Sequence, residues 1–133
     1  MINPLSTSVS GLMAAARKAT VAASSIANAD DVGSTDPNSP DQAYSARITQ
    51  DISTAGGGVQ TSVLTRNPPF VPSYSPDSPL ADAQGMVNAP NVNLDEELMT
   101  LKQAENAYKA NAMVIRTQSH MQDALQKALD TKS

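Results

Sequence analysis

Side chains that could carry chemistry are few in this chain of 133 residues, and they do not gather into a recognisable site. The acidic loop 30–42 lacks the alternating ligands, the turn glycine and the closing glutamate of an EF-hand calcium loop. The triplet 56–58 is Gly-Gly-Gly, but no Lys-Ser/Thr pair follows it as in a phosphate-binding P-loop. His120 is the only histidine, and cysteine is absent, so no His/Cys metal set can form. We therefore predict no catalytic site, no cofactor and no metal.

Composition points instead to association with other proteins. The net charge is −4 and the pI is near 4.7, which argues against a nucleic-acid surface because phosphate recognition needs clustered Lys and Arg. No apolar run approaches the roughly 18 to 20 residues that span a bilayer, so no membrane span is predicted. Aromatic residues make up only 3% of the chain, and much of the 40% hydrophobic content is alanine, which buries little area. We expect a thin core.

An amphipathic helix is predicted at the start of the chain. Asn3 suits the N-cap, and Pro4 suits the first helical position, where its missing N–H is not needed. Apolar residues then recur at spacings of four and three, the pattern of a heptad seam: Leu5, Val9, Leu12, Ala16, Ala19, Ala23 and Ile26. A coiled-coil-like pairing and an ordinary helix of a small bundle both fit this pattern.

A second, longer helix is predicted near the other end, from Pro90 to Leu129. Asn93 can cap it, and the acidic run 95–97 suits its first turn, where the helix dipole favours negative charge. One apolar seam comprises Leu94, Leu98, Leu101, Tyr108, Ala112 and Ile115. Later apolar residues lie on a neighbouring face: Val114, Met121, Leu125 and Ala128. A stripe that changes face indicates contacts from more than one side.

Between the helices the sequence predicts a small β insert. Alternating apolar residues over 43–65, interrupted by the glycine triplet, predict a β-hairpin whose strands are half-buried. Five prolines in 67–80 favour an extended arm or an edge strand, and a short strand is expected near Met86. The predicted fold is mainly α with this insert, its two helices pairing as a coiled-coil-like hairpin. A discontinuous helical assembly domain (1–29 and 90–133) would enclose the insert (30–89).

Two motifs resemble those of flagellar axial proteins. The segment 22–29, AASSIANA, is similar to the "AASNLANA" motif that ends their N-terminal helix, and 90–99 with 107–111, PNVNLDEELM and AYKAN, resembles the "PNVD…EEM…AYxAN" opening of their C-terminal helix. The segment 77–87, DSPLADAQGMV, resembles part of the proximal rod proteins of this family. Ser25, the pair 30–31 and Met86 depart from the usual residues.

The resemblance implies a structural subunit of the bacterial flagellar basal-body rod, with other rod subunits and copies of itself as partners. It also implies export by the flagellar type III apparatus into the periplasm-spanning rod without signal cleavage. Ala27-Asn28-Ala29 mimics a cleavage site, but no basic n-region precedes it. The residues expected to serve helix packing and assembly are Leu5, Val9, Leu12, Ala16, Ala23, Ile26, Asn28, Leu94, Leu98, Leu101, Tyr108, Asn111, Ala112 and Ile115.

Two alternatives remain open from the sequence. One is another paralogue of the rod family. The other is a free-standing helical adaptor or export chaperone, whose helices would be well ordered in the isolated monomer. A rod subunit is expected to keep its terminal segments largely disordered until assembly, because ordering them alone costs more than they bury.

Overall fold

The computed structural model describes residues 3–130 and contains two helices and two β-hairpins. This confirms the predicted fold class, mainly α with a small β insert. In chain order the elements are α1 (Pro4–Ala27), β1 (Arg47–Ser53), β2 (Val59–Thr65), β3 (Phe70–Tyr74), β4 (Met86–Pro90) and α2 (Leu94–Asp130).

Both ends of α1 are capped by asparagine side chains. The Asn3 carboxamide oxygen accepts a hydrogen bond from the Leu5 N–H at 3.0 Å, and Pro4 occupies the first turn as predicted. At the other end, the Asn28 side-chain amide donates to the Ser24 carbonyl at 2.8 Å. These bonds satisfy backbone groups that the helix ends leave without intrahelical partners. Asn28, which the sequence assigned to assembly, therefore also serves as the C-cap of α1.

The start of α2 also follows the prediction. The Asn93 carboxamide oxygen accepts hydrogen bonds from the Asp95 N–H at 3.1 Å and from the Glu96 N–H at 3.3 Å. The acidic run 95–97 lies in the first turn, where the positive end of the helix dipole stabilises it.

The two helices pack antiparallel over most of the length of α1. Gly11 lies against Asn111, and a Cβ added at Gly11 would come within 2.7 Å of the Asn111 side-chain oxygen. Because the helices run in opposite directions from this layer, Pro4 lies opposite residue 118. At 1.5 Å per residue, α2 then extends about 18 Å past Pro4. All residues of this overhang, 119–130, are exposed.

Small residues line the contact between the helices. Ser8, Ala15 and Ala22 are buried and recur every seven residues on α1. On α2 the buried small residue is Ala104. Small side chains allow two helices to approach closely, but each of them removes little apolar area from water.

The β1–β2 hairpin turns at the glycine triplet, as predicted, with positive φ angles at Gly57 and Gly58. Its faces differ from the prediction. Thr61 is buried towards α1, whereas Ile48 and Ile52 are 38% and 52% exposed. The two isoleucines therefore lie on the outer face of the hairpin, so the apolar side of the alternating pattern is not the side that faces α1.

The free edge of β2 lies along α1. The Val59 N–H donates to the Ser10 hydroxyl at 3.1 Å, and the Arg17 guanidinium donates to the Thr61 carbonyl at 3.1 Å. At the tip of the hairpin, a Cβ added at Gly58 would come within 2.4 Å of the same hydroxyl. Side chains of α1 thus bond to backbone groups of β2.

The proline-rich arm is not a lone extended segment. Its residues Phe70–Tyr74 form β3, which pairs antiparallel with β4, so that Phe70 lies opposite Pro90 and Tyr74 opposite Met86. The short strand expected near Met86 is therefore confirmed. The sequence did not predict its pairing with the arm.

Candidate assembly surface

The predicted seam of α1 is not the most buried face of that helix. Ala15 and Ala22 are 3% and 1% exposed, whereas the predicted residues Ala16 and Ala23 are exposed. The buried stripe lies one residue earlier along the chain. One residue corresponds to a rotation of about 100° around the helix. The predicted seam therefore borders the most buried stripe of α1 and does not coincide with it.

The predicted seam of α2 is displaced in the same way. Leu98 and Tyr108 are 53% and 44% exposed, whereas Glu97 and Ala104 are 6% and 2% exposed. None of the fourteen residues expected to serve packing and assembly is buried. Exposed are Ala16, Ala23, Leu94, Leu98 and Tyr108; half-buried are Leu5, Val9, Leu12, Ile26, Asn28, Leu101, Asn111, Ala112 and Ile115.

The two displaced seams meet along an open apolar groove between the helices. Ala16 and Ala19 of α1 line this groove together with Leu101 and Tyr108 of α2. We call it the α1–α2 groove. Residues spaced by three and four on a helix share a face, so the seams extend the groove towards Leu98 and towards the start of α1.

Glu105 interrupts the seam of α2 but lies at the edge of the groove. Its carboxylate is paired with Lys109 and, at 3.0 Å, with Lys102. Hydrogen bonds from Lys109 first and Lys102 second lower the pKa of Glu105 to about 2. The carboxylate therefore stays ionised and bound to lysines of its own helix, and the centre of the groove remains apolar.

A second apolar surface lies on the later half of α2. Val114, Met121, Leu125 and Leu129 are 47%, 61%, 63% and 62% exposed. We call these four residues the C-terminal stripe. Their spacings place them on one face of the helix, and His120 and the charged residues of the same segment fall on the opposite face: Arg116, Asp123, Lys127 and Asp130.

The start of α2 is tied to the β insert by an ion-pair cluster. The Arg66 guanidinium lies 3.4 Å from the carboxylate of Glu96 and 3.4 Å from that of Glu97. Glu97 is buried, and burial raises its pKa, although the positive charge of Arg66 opposes the rise. Arg66 follows β2, so the cluster fixes the end of the hairpin against the helix pair. The sequence does not predict this cluster, because some thirty residues separate the partners.

Large and small apolar residues are distributed in an unusual way over the described part of the chain. The buried hydrophobic residues are small: Ala14, Ala15, Val21, Ala22, Ala43, Ala46, Val87 and Ala104. The α2 residues among the exposed large ones are Leu94, Leu98, Met99, Tyr108, Met113, Val114, Met121, Leu125 and Leu129. Contiguous exposed apolar surface of this kind marks a contact with another molecule.

Two further features concern residues 3–130. No group of three His, Cys, Asp or Glu residues there is placed to hold a metal ion. Neither α1 nor α2 is apolar enough along its length to cross a membrane.

These features define a helical subunit that presents apolar surface for association. Comparison with known proteins supports this class of protein. Residues 83–128 match the family described as "Flagellar basal body rod FlgEFG protein C-terminal". The chain is 36% identical to the flagellar basal-body rod protein FlgC of Salmonella typhimurium over 124 residues, covering 91% of this chain and 92% of that protein. It is 34% identical to FlgC of Yersinia enterocolitica (88% and 89% covered) and 31% identical to FlgC of Agrobacterium fabrum (80% and 79% covered).

The chain belongs to the FlgC family of flagellar basal-body rod proteins. It is a structural subunit of the rod, it lies in the flagellar basal body, and it serves motility. The family assignment favours this function over a helical adaptor or an export chaperone. It also favours FlgC over the paralogue FlgB, which the sequence left open.

Proposed function

We propose that this protein is a proximal-rod subunit that assembles through the α1–α2 groove and the C-terminal stripe. The observation that carries the proposal is the placement of small residues inside and large apolar residues outside the helix pair. Full burial of one large apolar side chain contributes about 1.5–3 kcal/mol. Helices of neighbouring subunits, including other rod proteins and copies of this chain, would cover these surfaces.

The rigid attachment of the hairpin to the helices suits a subunit that transmits torque across the periplasm. Lys18 of α1 is ion-paired with Asp51 of β1. Burial alone would raise the pKa of Asp51, but hydrogen bonds from Lys18 and Thr61 lower it, so the carboxylate stays ionised. Together with the Arg66 cluster, this pair ties the insert (30–89) to the assembly domain (1–29 and 90–133). A load on either part would pass to the other.

Export without cleavage of the N-terminus fits the role of α1. The cleavage-like segment Ala27-Asn28-Ala29 lies at the end of α1, so cutting there would remove the whole helix. The chain would then lose Ala15 and Ala22, which form the contact with α2. We propose the flagellar type III export apparatus as the export partner, because that route leaves the N-terminus in place.

The proposal is tested by deleting the gene and analysing purified basal bodies. Loss of motility in the deletion strain, restored by the gene in trans, is expected. Mass spectrometry of basal bodies from the restored strain should find the chain with α1 intact, and electron microscopy should place it in the proximal rod. A chain missing from basal bodies, or present without residues 4–27, would contradict the proposal.

A further inference from the structure

We infer that Gly11 and Asn111 form a register lock, a single layer of the helix pair that fixes how far α2 is displaced along α1. The inference goes beyond the proposed function, because it concerns the geometry within one subunit. Three observations support it: the seven-residue repeat of the rest of the contact, the absence of a side chain at Gly11, and the orientation of the Asn111 carboxamide.

The rest of the contact repeats every seven residues, so it does not define a unique register. The buried residues Ser8, Ala15 and Ala22 follow this spacing on α1. So do the apolar residues beside the contact, which are Leu5, Leu12, Ala19 and Ile26 on α1 and Leu94, Leu101, Tyr108 and Ile115 on α2. If α2 moved along α1 by seven residues, about 10 Å, most of these residues would again face residues of the same kind.

Gly11 interrupts this repeat because it has no side chain. It is the only glycine between Pro4 and Ala27, and it lies inside the helix, where glycine is the least favourable residue apart from proline. The Asn111 carboxamide occupies the space that a side chain would take. A Cβ at position 11 would lie 2.7 Å from its oxygen, 3.0 Å from its carbon and 3.0 Å from its nitrogen. Gly11 thus forms a notch in α1 that receives Asn111.

The Asn111 side chain is held in this notch by a bond to its own helix. Its amide nitrogen donates to the Ala107 carbonyl at 2.8 Å, and its oxygen is the atom nearest to the notch. Asn111 is half-buried in a contact that is otherwise built from small and apolar residues. A single asparagine within an apolar helix seam can specify the register of a coiled coil, because other registers cannot accommodate it equally well.

A shift by seven residues would take Asn111 out of the notch. It would then face Pro4 or Lys18, which lie seven residues before and after Gly11 on the same face of α1. Both of these residues have a Cβ where the carboxamide would have to lie. The helices would have to separate or the side chain would have to move, so the shifted registers are less stable than the observed one.

The Arg66 cluster constrains the register less directly. Glu97 lies fourteen residues from Asn111, which is about 21 Å along α2. The cluster joins α2 to the end of the hairpin at 3.4 Å, longer than the usual hydrogen-bond distance of about 2.9–3.0 Å. It therefore restrains α2 relative to α1 only through the insert, whereas Gly11 and Asn111 join the two helices themselves.

The register decides where the C-terminal stripe lies relative to α1. A shift of seven residues would change the overhang of α2 past Pro4 from about 18 Å to about 8 Å or about 28 Å. The stripe would move with α2, whereas Ala16 and Ala19 would stay in place on α1. A subunit in a shifted register would thus present its apolar surfaces at the wrong spacing. This consequence for assembly rests on the proposed function, but the lock itself does not.

Double electron–electron resonance measures the register in the purified full-length chain. Spin labels are attached to Thr20→Cys and Asp123→Cys, because both positions are exposed and the chain has no cysteine of its own. Since Gly11 lies opposite Asn111, Thr20 lies opposite residue 102, and Asp123 lies about 31 Å further along α2. A chain with the lock intact should give one main distance of about 30–35 Å.

Two variants of the labelled chain remove the lock from opposite sides. Asn111→Ala removes the carboxamide, and Gly11→Ala fills the notch while Asn111 remains. Each should give additional distances about 10 Å shorter or longer, with on the order of tenfold more shifted chains than in the wild type. Alanine favours the helix at both positions, so helicity should be retained, and circular dichroism verifies this.

Asn106→Ala is the matched control, because it makes the same substitution at an exposed position of the same helix. It should keep the single distance. An unshifted single distance in either lock variant would overturn the inference and would mean that the insert sets the register. Equal shifted populations in the control, or several distances in the wild type, would overturn it as well. None of these results bears on the proposed function, which is contradicted only by the basal-body analysis.

Discussion

Replacing Leu98 by aspartate tests whether the α1–α2 groove is an assembly contact. Leu98 lies beside the buried Glu97 but is itself 53% exposed. Full burial of a leucine contributes about 1.5–3 kcal/mol, so roughly 1 kcal/mol of this remains to be gained when a partner covers it. The Leu98→Asp variant loses that gain and also places an unpaired carboxylate in a dry contact, which costs several kcal/mol. A combined loss of about 4 kcal/mol weakens association about a thousandfold.

The isolated subunit should tolerate the same change. A substitution at a half-exposed position away from the helix contact alters the free energy of unfolding by about 0.5 kcal/mol or less. Asn106→Asp is the matched control, because it adds the same charge to an exposed position of the same helix. Ile115→Asp should also abolish motility, but Ile115 is half-buried, so its effect would mix assembly with stability.

The assay compares the amount of each variant in purified basal bodies with swarming and with the circular dichroism of the purified chain. Leu98→Asp is expected to be expressed with wild-type helicity, to be missing from basal bodies and to leave cells non-motile. The Asn106→Asp strain should swarm normally. Wild-type incorporation and swarming of the Leu98→Asp strain would refute the assignment of the groove.

Three further predictions concern the isolated chain. Ala22→Leu should lower the free energy of unfolding by about 1–3 kcal/mol through overpacking, whereas Ala23→Leu should change it by about 0.5 kcal/mol or less. Equal losses of stability in urea denaturation would mean that Ala23 is packed as tightly as Ala22. Burial raises the pKa of Glu97, so the stability that its protonated form contributes is present at acidic pH and is lost as pH rises through the raised pKa. Glu97→Gln should therefore gain stability relative to wild type as pH rises above the ordinary glutamate pKa of about 4.3, and a difference that stays constant with pH would contradict this. Hydrogen exchange at amides 119–130 should be faster in the monomer than in basal bodies; protection of this segment in the monomer as strong as in basal bodies would argue against a rod subunit.

Helix ends and the hairpin turn were predictable because local residues determine them. Asn3 and Asn93 bond to the first N–H groups of their helices, and Gly57 and Gly58 adopt the positive φ angles of the turn. A capping side chain bonds to backbone groups two or three residues away, and a turn glycine acts at its own position. Such features can therefore be predicted from a short stretch of sequence. The pairing of β3 with β4 could not be read in this way, since it joins distant segments and includes Pro72.

The buried faces of the helices were not predictable because alanine occurs on adjacent faces. Ala14, Ala15 and Ala16 follow one another, and so do Ala22 and Ala23. A heptad of apolar residues can be drawn through either face, and the one with Leu5, Val9 and Leu12 has the larger side chains. In the structure the face with the smaller side chains is buried, because close helix packing requires them. The larger side chains Leu5, Val9 and Leu12 remain half-buried.

The two bonds from α1 to the edge of β2 also bear on the solubility of the unassembled subunit. A two-stranded ribbon has unpaired N–H and C=O groups along its edges, and such edges recruit strands from other chains into aggregates. The Val59 N–H donates to the Ser10 hydroxyl, and the Thr61 carbonyl accepts from the Arg17 guanidinium. The helix α1 itself blocks the approach of a further strand at this edge. The unassembled subunit is thus protected from edge-to-edge strand pairing with other chains along this edge.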